Sequence, residues 1–566
     1  MMPPRARDWT APLLAAALLT ALGATKPIVV DEAIYAQYAS HIALQPGDPY
    51  GFEAFWYEHP EPAHHLLVPL FLPYWVAAAR AALGDSPLHW KLSLFPFALA
   101  LTASLSLLLR RIAPSFERPL LWMVALSPGV LTSFGLMLEI PALALSLLGV
   151  AAFITACERG RIDLALLAGV IAGLAMQTKY SGVLGLAAVA LYALIFRRPA
   201  FGVAAAAAAI AVFAGWETFL AARYGESHFL YAVGKIGDYS SGGSALQWGI
   251  GLASLVGATL PAVGVLTCAA LRPGRASAVG AALAVAGIFA ALPLLPAGTL
   301  AGAGRSLPNL SAPRPELLVF APLGLVVLAG IASLARALLG RIPGPHGGGT
   351  EGGAESRRWD HWLLGWLAVE LVGFFVLSPY LAARRVVGLG VVATLLAGRV
   401  AYRYAPTARA AVTAAMCSSA AIGALFLVAD HCDALARRRS VVELAERVAA
   451  LPADAGCETL WFTGHWSFLH YGEELSMRPA FAGASRLKRG DCLAIPHGVQ
   501  RQRLAADPRF TREIPGLSTR SRWPWSTIPS FYVGPVPVRA QPVTQVRIAL
   551  YRVLADHVPA AQPPGN

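Results

Sequence analysis

Residues 10–38 read TAPLLAAALLTALGATKPIVVDEAIYAQY, an apolar run that ends directly at two carboxylates, Asp31 and Glu32. A run of about 20 apolar residues is long enough to cross a bilayer of about 30 Å as an α-helix. Comparable runs recur through the first 430 residues, and none follows. The pattern predicts a polytopic α-helical membrane domain over 1–430, followed by a small water-soluble domain over 431–566.

The composition is that of a chain whose solvent is mostly lipid. Of its 566 residues, 56% are hydrophobic and 14% are charged, and the mean hydropathy is +0.56. Ordinary soluble domains carry about 25% charged residues, so a soluble enzyme is excluded. The net charge of +13 could indicate nucleic acid as a partner. Most arginines, however, lie in short clusters between apolar runs, where they orient helices in a membrane, so no nucleic acid is expected.

The arginine clusters also predict the topology, because positive residues favour the cytoplasmic side. The N-terminal run then serves as a signal anchor and leads outward. The apolar stretch 66–83 lies along the outer interface, within a first outer loop over 31–87. The Gly- and Pro-rich loop 338–358 becomes a flexible cytoplasmic connector. Thirteen spans are expected, near 10–30, 88–109, 119–136, 141–157, 163–177, 181–196, 199–220, 246–270, 276–300, 316–337, 359–379, 386–402 and 409–430.

The usage of Ala, Arg and Gly is typical of a high-GC bacterium. The expected location is therefore a bacterial inner membrane, with the outer side and the C-terminal domain facing the periplasm. That tail has the pattern of an α/β domain, with a helix over 434–450. Its strands are expected near 459–466, 492–496, 530–538 and 546–554. A periplasmic tail would also allow a disulfide among Cys432, Cys457 and Cys492.

Asp31 is the first candidate for chemistry, since it stands with Glu32 at the outer end of the first span. The two acids could simply complement the dipole of a helix that starts there. Alternatively, a carboxylate held at the bilayer surface could act as a general base towards an attacking hydroxyl.

Three further positions carry isolated charges on the predicted outer side. Glu139 lies in an apolar context just before Pro141, where it could cap a helix or take part in a functional site. Lys179 lies alone between two apolar runs, as a snorkelling anchor or as a phosphate contact. Arg384 and Arg385 form a pair on the predicted outer side, although positive residues favour the cytoplasmic side of a membrane. This placement indicates phosphate binding.

A metal centre is not expected from the sequence. The cysteines lack metal-ligand spacing. Segment 56–65, with Glu58, His59, His64 and His65, contains ligand-type residues, but Pro60 and Pro62 indicate a loop instead of a helix that would align them.

The ordered series of motifs resembles the GT-C membrane glycosyltransferases, a superfamily that includes the protein O-mannosyltransferases, the lipid A aminoarabinose transferase and the rhizobial galacturonosyltransferases, of the glycosyltransferase family 39 or 83 type. Asp31–Tyr35, DEAIY, is similar to the family's Asp-Glu-Ala-Arg-Tyr. Tyr57–Pro60 resembles its Phe-Glu-Lys-Pro or His-Pro-Pro element. Leu138–Pro141 stands in the place of Leu-Asp-Pro, and Gln177–Lys179 in that of Leu-Thr-Lys-Gly. The chain departs from these patterns at Ile34, His59 and Glu139.

The resemblance implies a GT-C fold and transfer of a sugar from a polyprenyl-phosphate donor to a hydroxyl of a lipid, glycan or protein. It implies an inverting displacement on the periplasmic side, with Asp31 as the base. Lys179, Arg384 and Arg385 would bind the donor phosphate, so a divalent metal is possible but not required. Positioning of donor or acceptor would fall to Glu32, Tyr35, Glu58, His59 and Glu139.

A transporter or lipid flippase and an envelope scaffold are the alternatives. Transporters place ionisable groups or broken helices near mid-membrane, whereas most acids here cluster at one interface. Glu217 and Glu370 are the exceptions, and a water-filled cavity shared by both would favour transport.

Overall fold

The computed structural model describes residues 8–561 apart from 57, 67, 240–243, 272–274, 296–314, 341–349, 453–455, 498, 500, 522 and 541–545. Within these residues the first 449 positions are almost entirely helical. The helices are α1 Thr10–Ala24, α2 Glu32–Leu44, α3 Phe71–Leu83, α4 Pro87–Leu92, α5 Phe95–Ile112, α6 Glu117–Ala125, α7 Pro128–Ser133, α8 Glu139–Arg159, α9 Ile162–Thr178, α10 Val183–Ile195, α11 Pro199–Tyr224, α12 His228–Tyr239, α13 Ala245–Thr259, α14 Pro261–Leu271, α15 Arg275–Ala291, α16 Pro315–Leu339, α17 Thr350–Leu377, α18 Val387–Tyr404 and α19 Arg409–Ala449.

The chain is a polytopic α-helical membrane protein. Among the described residues, eight helices are long and apolar enough to cross a bilayer: Pro87–Ile112, Glu139–Arg159, Pro199–Tyr224, Ala276–Leu294, Pro315–Leu339, Gly353–Leu377, Ala383–Tyr404 and Arg409–Ala449. Helices α13 and α14 pass the same test together but meet at an angle of 81°. Three shorter apolar helices cover Thr10–Ala24, Ile162–Thr178 and Tyr180–Ile195. The predicted polytopic fold is therefore confirmed.

Two local expectations were wrong. A single helix was expected over 119–136, but α6 ends at Ala125 and α7 begins at Pro128. Ser127 separates them, because its hydroxyl caps α7 by accepting a hydrogen bond from the Val130 amide at 3.4 Å. The connector 338–358 was expected to be flexible, but residues 350–358 belong to α17. Residues 341–349 of that connector lie outside the described residues.

Helix α19 joins the helical bundle to the C-terminal sheet without a break. It extends over 41 residues and crosses the expected domain boundary at 430/431. Its C-terminal part accounts for the helix that was expected over 434–450. Two buried acids on this helix, Asp430 and Asp433, bind the tail segment 526–532. Bundle and tail are thus held together by buried polar contacts.

The tail contains a five-stranded sheet in the order β4-β3-β5-β7-β6. The strands are β3 Leu460–Phe462, β4 Arg478–Pro479, β5 Cys492–His497, β6 Thr511–Thr519 and β7 Val546–Val553, with helix α20 at Ser467–Glu474. β3 is parallel to β4 and β5, while β7 is antiparallel to β5 and β6. Cys457 forms a disulfide with Cys492. A separate hairpin, β1 Glu53–Phe55 and β2 Pro60–Pro62, lies in the first loop.

The strand expected over 530–538 was also wrong. This proline-containing segment forms turns, and it directs its backbone groups to the bundle instead of to the sheet. Gly534 donates its amide to the Leu381 carbonyl at 2.7 Å, and the Phe531 carbonyl accepts from the Ala383 amide at 3.1 Å. The tail is therefore hydrogen-bonded to the residues that lie shortly before α18.

Candidate active site

A cavity of about 300 Å³ opens at one end of the helical bundle. Its walls come from the start of α2, the start of α8, the end of α9, helix α12 and the turn before α18. Its lining combines charged and polar side chains with apolar ones. The lining includes Asp31, Ile34, Tyr35, Trp56, Leu66, Val68, Pro69, Leu138, Glu139, Lys179, Tyr180, Ser181, Phe229, Ala232, Val233, Leu377, Pro379, Tyr380, Arg384 and Arg385.

Five charged side chains of the lining lie close together. Arg384 Nη1 lies 2.5 Å from Asp31 Oδ2 and 3.3 Å from Glu139 Oε1. Lys179 Nζ lies 2.7 Å from the same Glu139 oxygen. Arg385 stacks over the ring of Tyr380, 4.3 Å from its centroid. Most of the charges that the sequence left isolated are thus brought into one ion-pair network.

Helix ends place these groups at the same end of the bundle. Asp31 immediately precedes α2, and Glu139 is the first residue of α8. Lys179 follows the last residue of α9, while Arg384 and Arg385 lie in the 3-10 turn Ala383–Val386 before α18. Because apolar residues fill the helix interiors, charged residues are tolerated at the ends, and antiparallel packing brings those ends together.

Several buried polar atoms in the cluster are left without a hydrogen-bond partner among the described residues. They are Glu139 Oε2, Arg384 Nε and Arg385 Nε. The Arg384 side chain is only 3% exposed, so its unpaired nitrogen is costly unless a bound molecule pairs it. The pattern is that of a site completed by a polar, anionic ligand.

Three tyrosines, Tyr35, Tyr180 and Tyr380, also line the cavity. Tyr380 accepts a hydrogen bond from Arg384 Nη2 at 2.8 Å. Burial, followed by the nearby Asp31 and Glu139 charges, raises the pKa of Tyr35 well above its usual range, so its hydroxyl stays protonated and can donate. Tyr180 pairs with His228, whose other ring nitrogen lies 2.9 Å from the Leu66 carbonyl. Burial lowers the pKa of His228, which keeps this imidazole neutral.

Glu32, the neighbour of Asp31, lies outside this cavity in a buried structural network. Its carboxylate accepts hydrogen bonds from the Val29 and Leu136 amides and lies 2.8 Å from Lys91 Nζ. Lys91 also donates to the carbonyls of Lys26 and Pro27. The structure therefore places Glu32 where it fixes the chain before α2, away from the cavity lining.

Glu58 and His59 also lie away from the lining. Glu58 accepts a hydrogen bond from the Arg503 amide at 2.9 Å and lies 3.4 Å from the Arg503 guanidinium. His59 is exposed. Of the nine site residues predicted from the sequence, the structure brings together six at the cavity: Asp31, Tyr35, Glu139, Lys179, Arg384 and Arg385.

The sequence prediction missed a buried network below the cavity. Lys26 Nζ lies 3.1 Å from Asp430 Oδ2, and Tyr532 donates its hydroxyl to the same oxygen at 2.9 Å. The Tyr532 ring also lies against the Arg384 guanidinium, 5.9 Å from centroid to carbon. A lysine near the end of the first apolar run and an aspartate at the end of the last were the available signals.

Glu217 and Glu370, the two acids whose shared cavity would favour transport, have different surroundings. Glu217 accepts hydrogen bonds from Ser227 Oγ at 2.7 Å and from the Phe229 amide at 2.9 Å. Glu370 lines a small cavity of about 80 Å³ that does not include Glu217. These contacts allow Glu217 to fix the start of α12.

No protein-family model and no curated protein matches the chain. Among solved structures the chain is similar to two crystal structures of ArnT from Cupriavidus metallidurans. The sequence identity is 15% and the TM-score 0.38 for ArnT bound to undecaprenyl phosphate, and they are 14% and 0.40 for ArnT in the apo state. Each match covers 86% of this chain and 92% of ArnT. It is also similar to the archaeal oligosaccharyltransferase AglB from Archaeoglobus fulgidus in complex with an inhibitory peptide and a dolichol-phosphate, with 15% sequence identity and a TM-score of 0.43. That match covers 83% of this chain and 64% of AglB.

Proposed function

We propose that this protein transfers a sugar from a polyprenyl-phosphate donor to a hydroxyl of a lipid, glycan or protein at the outer face of a bacterial inner membrane. The observation that carries the proposal is one cavity whose lining combines a compact charged cluster with many apolar side chains. A molecule that joins an isoprenoid tail to a phosphate and a sugar needs both kinds of side chain. Its tail would pack on the apolar side chains, and its headgroup would reach the charged cluster.

The charge of the cluster supports a phosphate-linked donor. Three cationic side chains, Lys179, Arg384 and Arg385, face two carboxylates, which leaves one positive charge in excess. A sugar joined to a lipid through one phosphate is a phosphodiester and carries one negative charge. Cleavage leaves a phosphate monoester with a greater negative charge, and pre-positioned guanidinium and ammonium groups stabilise charge that develops in this way.

Asp31 is the proposed general base. Its carboxylate lies in the cavity lining beside Arg384, where an acceptor hydroxyl can reach it. The acceptor hydroxyl gives its proton to Asp31 while its oxygen forms a bond to the anomeric carbon. The bond from that carbon to the phosphate oxygen breaks, and its electron pair leaves with the lipid phosphate. Displacement from the opposite side inverts the anomeric configuration.

Glu139 and Tyr35 are the proposed positioning residues. Glu139 keeps one oxygen on Lys179 and Arg384 and leaves Oε2 free among the described residues to accept a hydrogen bond from a sugar or acceptor hydroxyl. The protonated Tyr35 hydroxyl can donate to the same molecule. Because basic side chains balance the phosphate charge, the proposed transfer does not need a divalent metal.

The test is donor consumption and sugar transfer in liposomes, with a panel of undecaprenyl-phosphate sugars and a range of acceptors. Asp31→Asn should insert and fold like the wild type, and it should lower transfer by about 10²-fold or more, the scale of losing a positioned base. Asp507→Asn, a matched change on the surface of the tail, should transfer as well as the wild type. If wild type and Asp31→Asn consume no donor, or consume it equally, the proposed reaction or its base is wrong.

A further inference from the structure

Two histidines and one glutamate meet near the cavity, close in the chain to residues of its lining. His64 and His65 form the 3-10 turn with Ala63, and Glu226 lies in the turn between α11 and α12. Their ligand atoms all lie within 4.8 Å of one another, and His64 Nε2 is 3.3 Å from Glu226 Oε1. Among the described residues this is the one group of three or more His, Cys, Asp or Glu side chains with that geometry.

The spacing and the ligand types fit a zinc ion. Zinc binds imidazole nitrogens and carboxylate oxygens at about 2.0–2.2 Å, usually in a tetrahedron. Two ligands of such a tetrahedron lie about 3.3–3.5 Å apart, close to the distance between His64 and Glu226. Two histidines with one glutamate make up a ligand set that zinc uses in proteins, with one position left for water or another oxygen.

Neighbouring tyrosines hold both imidazole rings in place. Tyr224 stacks on His64 with a centroid distance of 5.7 Å and an interplanar angle of 16°. Tyr231 stacks on His65 at 4.9 Å and 11°. Rings that are already oriented lose less conformational freedom when they bind an ion.

Both turns lead directly into residues that line the cavity. Leu66 and Val68 follow the histidines, and Phe229 and Ala232 follow Glu226; all four line the cavity. We propose that His64, His65 and Glu226 bind one divalent transition-metal ion, preferably Zn²⁺, which clips the first outer loop to the α11–α12 turn. The ion lies outside the charged cluster, so its binding is independent of the proposed transfer chemistry.

The sequence disfavoured a metal in segment 56–65 because its prolines prevent a helix. Ligands from within that segment alone would indeed need such a helix to align them. Folding supplies the third ligand, Glu226, from about 160 positions further along the chain. The adjacent histidines then need no helical spacing, because one short turn presents both to the same carboxylate.

Metal binding can be measured without any substrate. Full-length protein in detergent, stripped with a chelator, is titrated with Zn²⁺ in a calorimeter, and Co²⁺ absorption reports the coordination geometry. The wild type should bind one ion per chain. Glu226→Gln and His65→Ala should each weaken binding at least about 10-fold, while His497→Ala, a surface histidine in β5, should not. Glu226 is partly exposed, so its variant should fold normally.

Amide hydrogen exchange locates the ion. Zn²⁺ should slow exchange in 63–66 and 224–229 of the wild type and not in Glu226→Gln. Wild-type affinity no greater than that of a His64→Ala/His65→Ala/Glu226→Gln variant would overturn the proposal. Stoichiometric binding without protection of these two segments would overturn it as well. Neither result depends on sugar transfer, so failure here and failure of the proposed function remain distinguishable.

Discussion

Asp31 and Glu32 are neighbours with opposite surroundings. Asp31 faces the cavity beside Arg384, whereas Glu32 is fully buried against Lys91 and two backbone amides. Adjacent residues on a helix point about 100° apart, so one acid can face a ligand site while the next enters the protein interior. The two carboxylates should therefore respond differently to neutralisation.

Glu32→Gln should lower stability instead of acting on the chemistry. Removing one member of a buried ion pair leaves an uncompensated charge, here on Lys91, and costs about 3–5 kcal/mol. Thermal unfolding in detergent measures this loss. Glu53→Gln, a matched change at an exposed position, should leave the unfolding temperature unchanged. If Glu32→Gln is as stable as the wild type and inactive, then Glu32 belongs to the reaction after all.

Lys179→Ala and Arg385→Ala should weaken use of the donor more than use of the acceptor. Each change removes a charged hydrogen-bond donor expected to contact phosphate, an interaction of about 1.5–3 kcal/mol, which corresponds to about a 10- to 100-fold loss in kcat/KM for the donor. Separate titrations of donor and acceptor in liposomes measure the two effects. Lys488→Ala, in an exposed part of the tail, is the control. Equal losses for both substrates would contradict the phosphate role.

The sequence alone singled out those residues whose charged side chain stands in an otherwise apolar stretch. Glu139, Lys179 and the Arg384–Arg385 pair stand out because an apolar setting makes a charged group costly unless it has a purpose. The sequence could not predict that the Glu32 side chain points into the protein interior, because a shift of one residue along the helix decides which acid faces the cavity. The position of the Glu58 side chain could not be predicted either, because its partner Arg503 belongs to the tail.

Helices α13 and α16 cross closely through glycines. A Cβ added to Gly324 would overlap the Ala253 carbonyl, and one added to Gly257 would overlap the Phe320 carbonyl. Small residues allow such backbone contact between membrane helices, where packing replaces the hydrophobic effect as the source of association. Since backbone atoms cannot rotate away, a methyl group at this crossing has to separate the helices.

Gly324→Ala should therefore destabilise the bundle by about 1–3 kcal/mol, the usual cost of overpacking. Gly249→Ala offers a matched control on α13, because a Cβ there has no neighbour within 4 Å. The control should be neutral or slightly stabilising, since alanine favours helix more than glycine does. Unfolding of both variants in the same detergent tests the difference, and equal stabilities would contradict the close crossing.

At the scale of elements, hydropathy predicted most helices because long apolar runs have few other solutions in a bilayer. It failed where a local signal interrupts a run. Ser127 followed by Pro128 ends one helix and caps the next inside an apolar stretch. It failed again over 530–538, where the segment bonds to the bundle instead of to the sheet.

The helical bundle and the C-terminal tail contact each other at the turn before α18. Backbone hydrogen bonds join 381–383 to Phe531 and Gly534 of the tail. Between those contacts, the Tyr532 ring lies against Arg384, and its hydroxyl bonds to Asp430 of α19. No sequence pattern connects residues so far apart in the chain. The tail thus helps to form the candidate active site, because it supports the arginine that pairs with the proposed base.

Two substitutions of Tyr532 separate support of the fold from support of Arg384. Tyr532→Phe removes the hydroxyl and leaves a buried Asp430 oxygen with one partner fewer, so it should lower stability by about 1–3 kcal/mol. It keeps the ring beside Arg384, so transfer per folded molecule should change little. Tyr532→Leu also removes the ring, and loss of a desolvated cation–π contact of up to about 2 kcal/mol should lower transfer by about 10-fold more. Tyr551→Phe, in β7, is the control. Equal transfer by the folded Phe and Leu variants would mean that the ring does not position Arg384 and that the tail acts only as a scaffold.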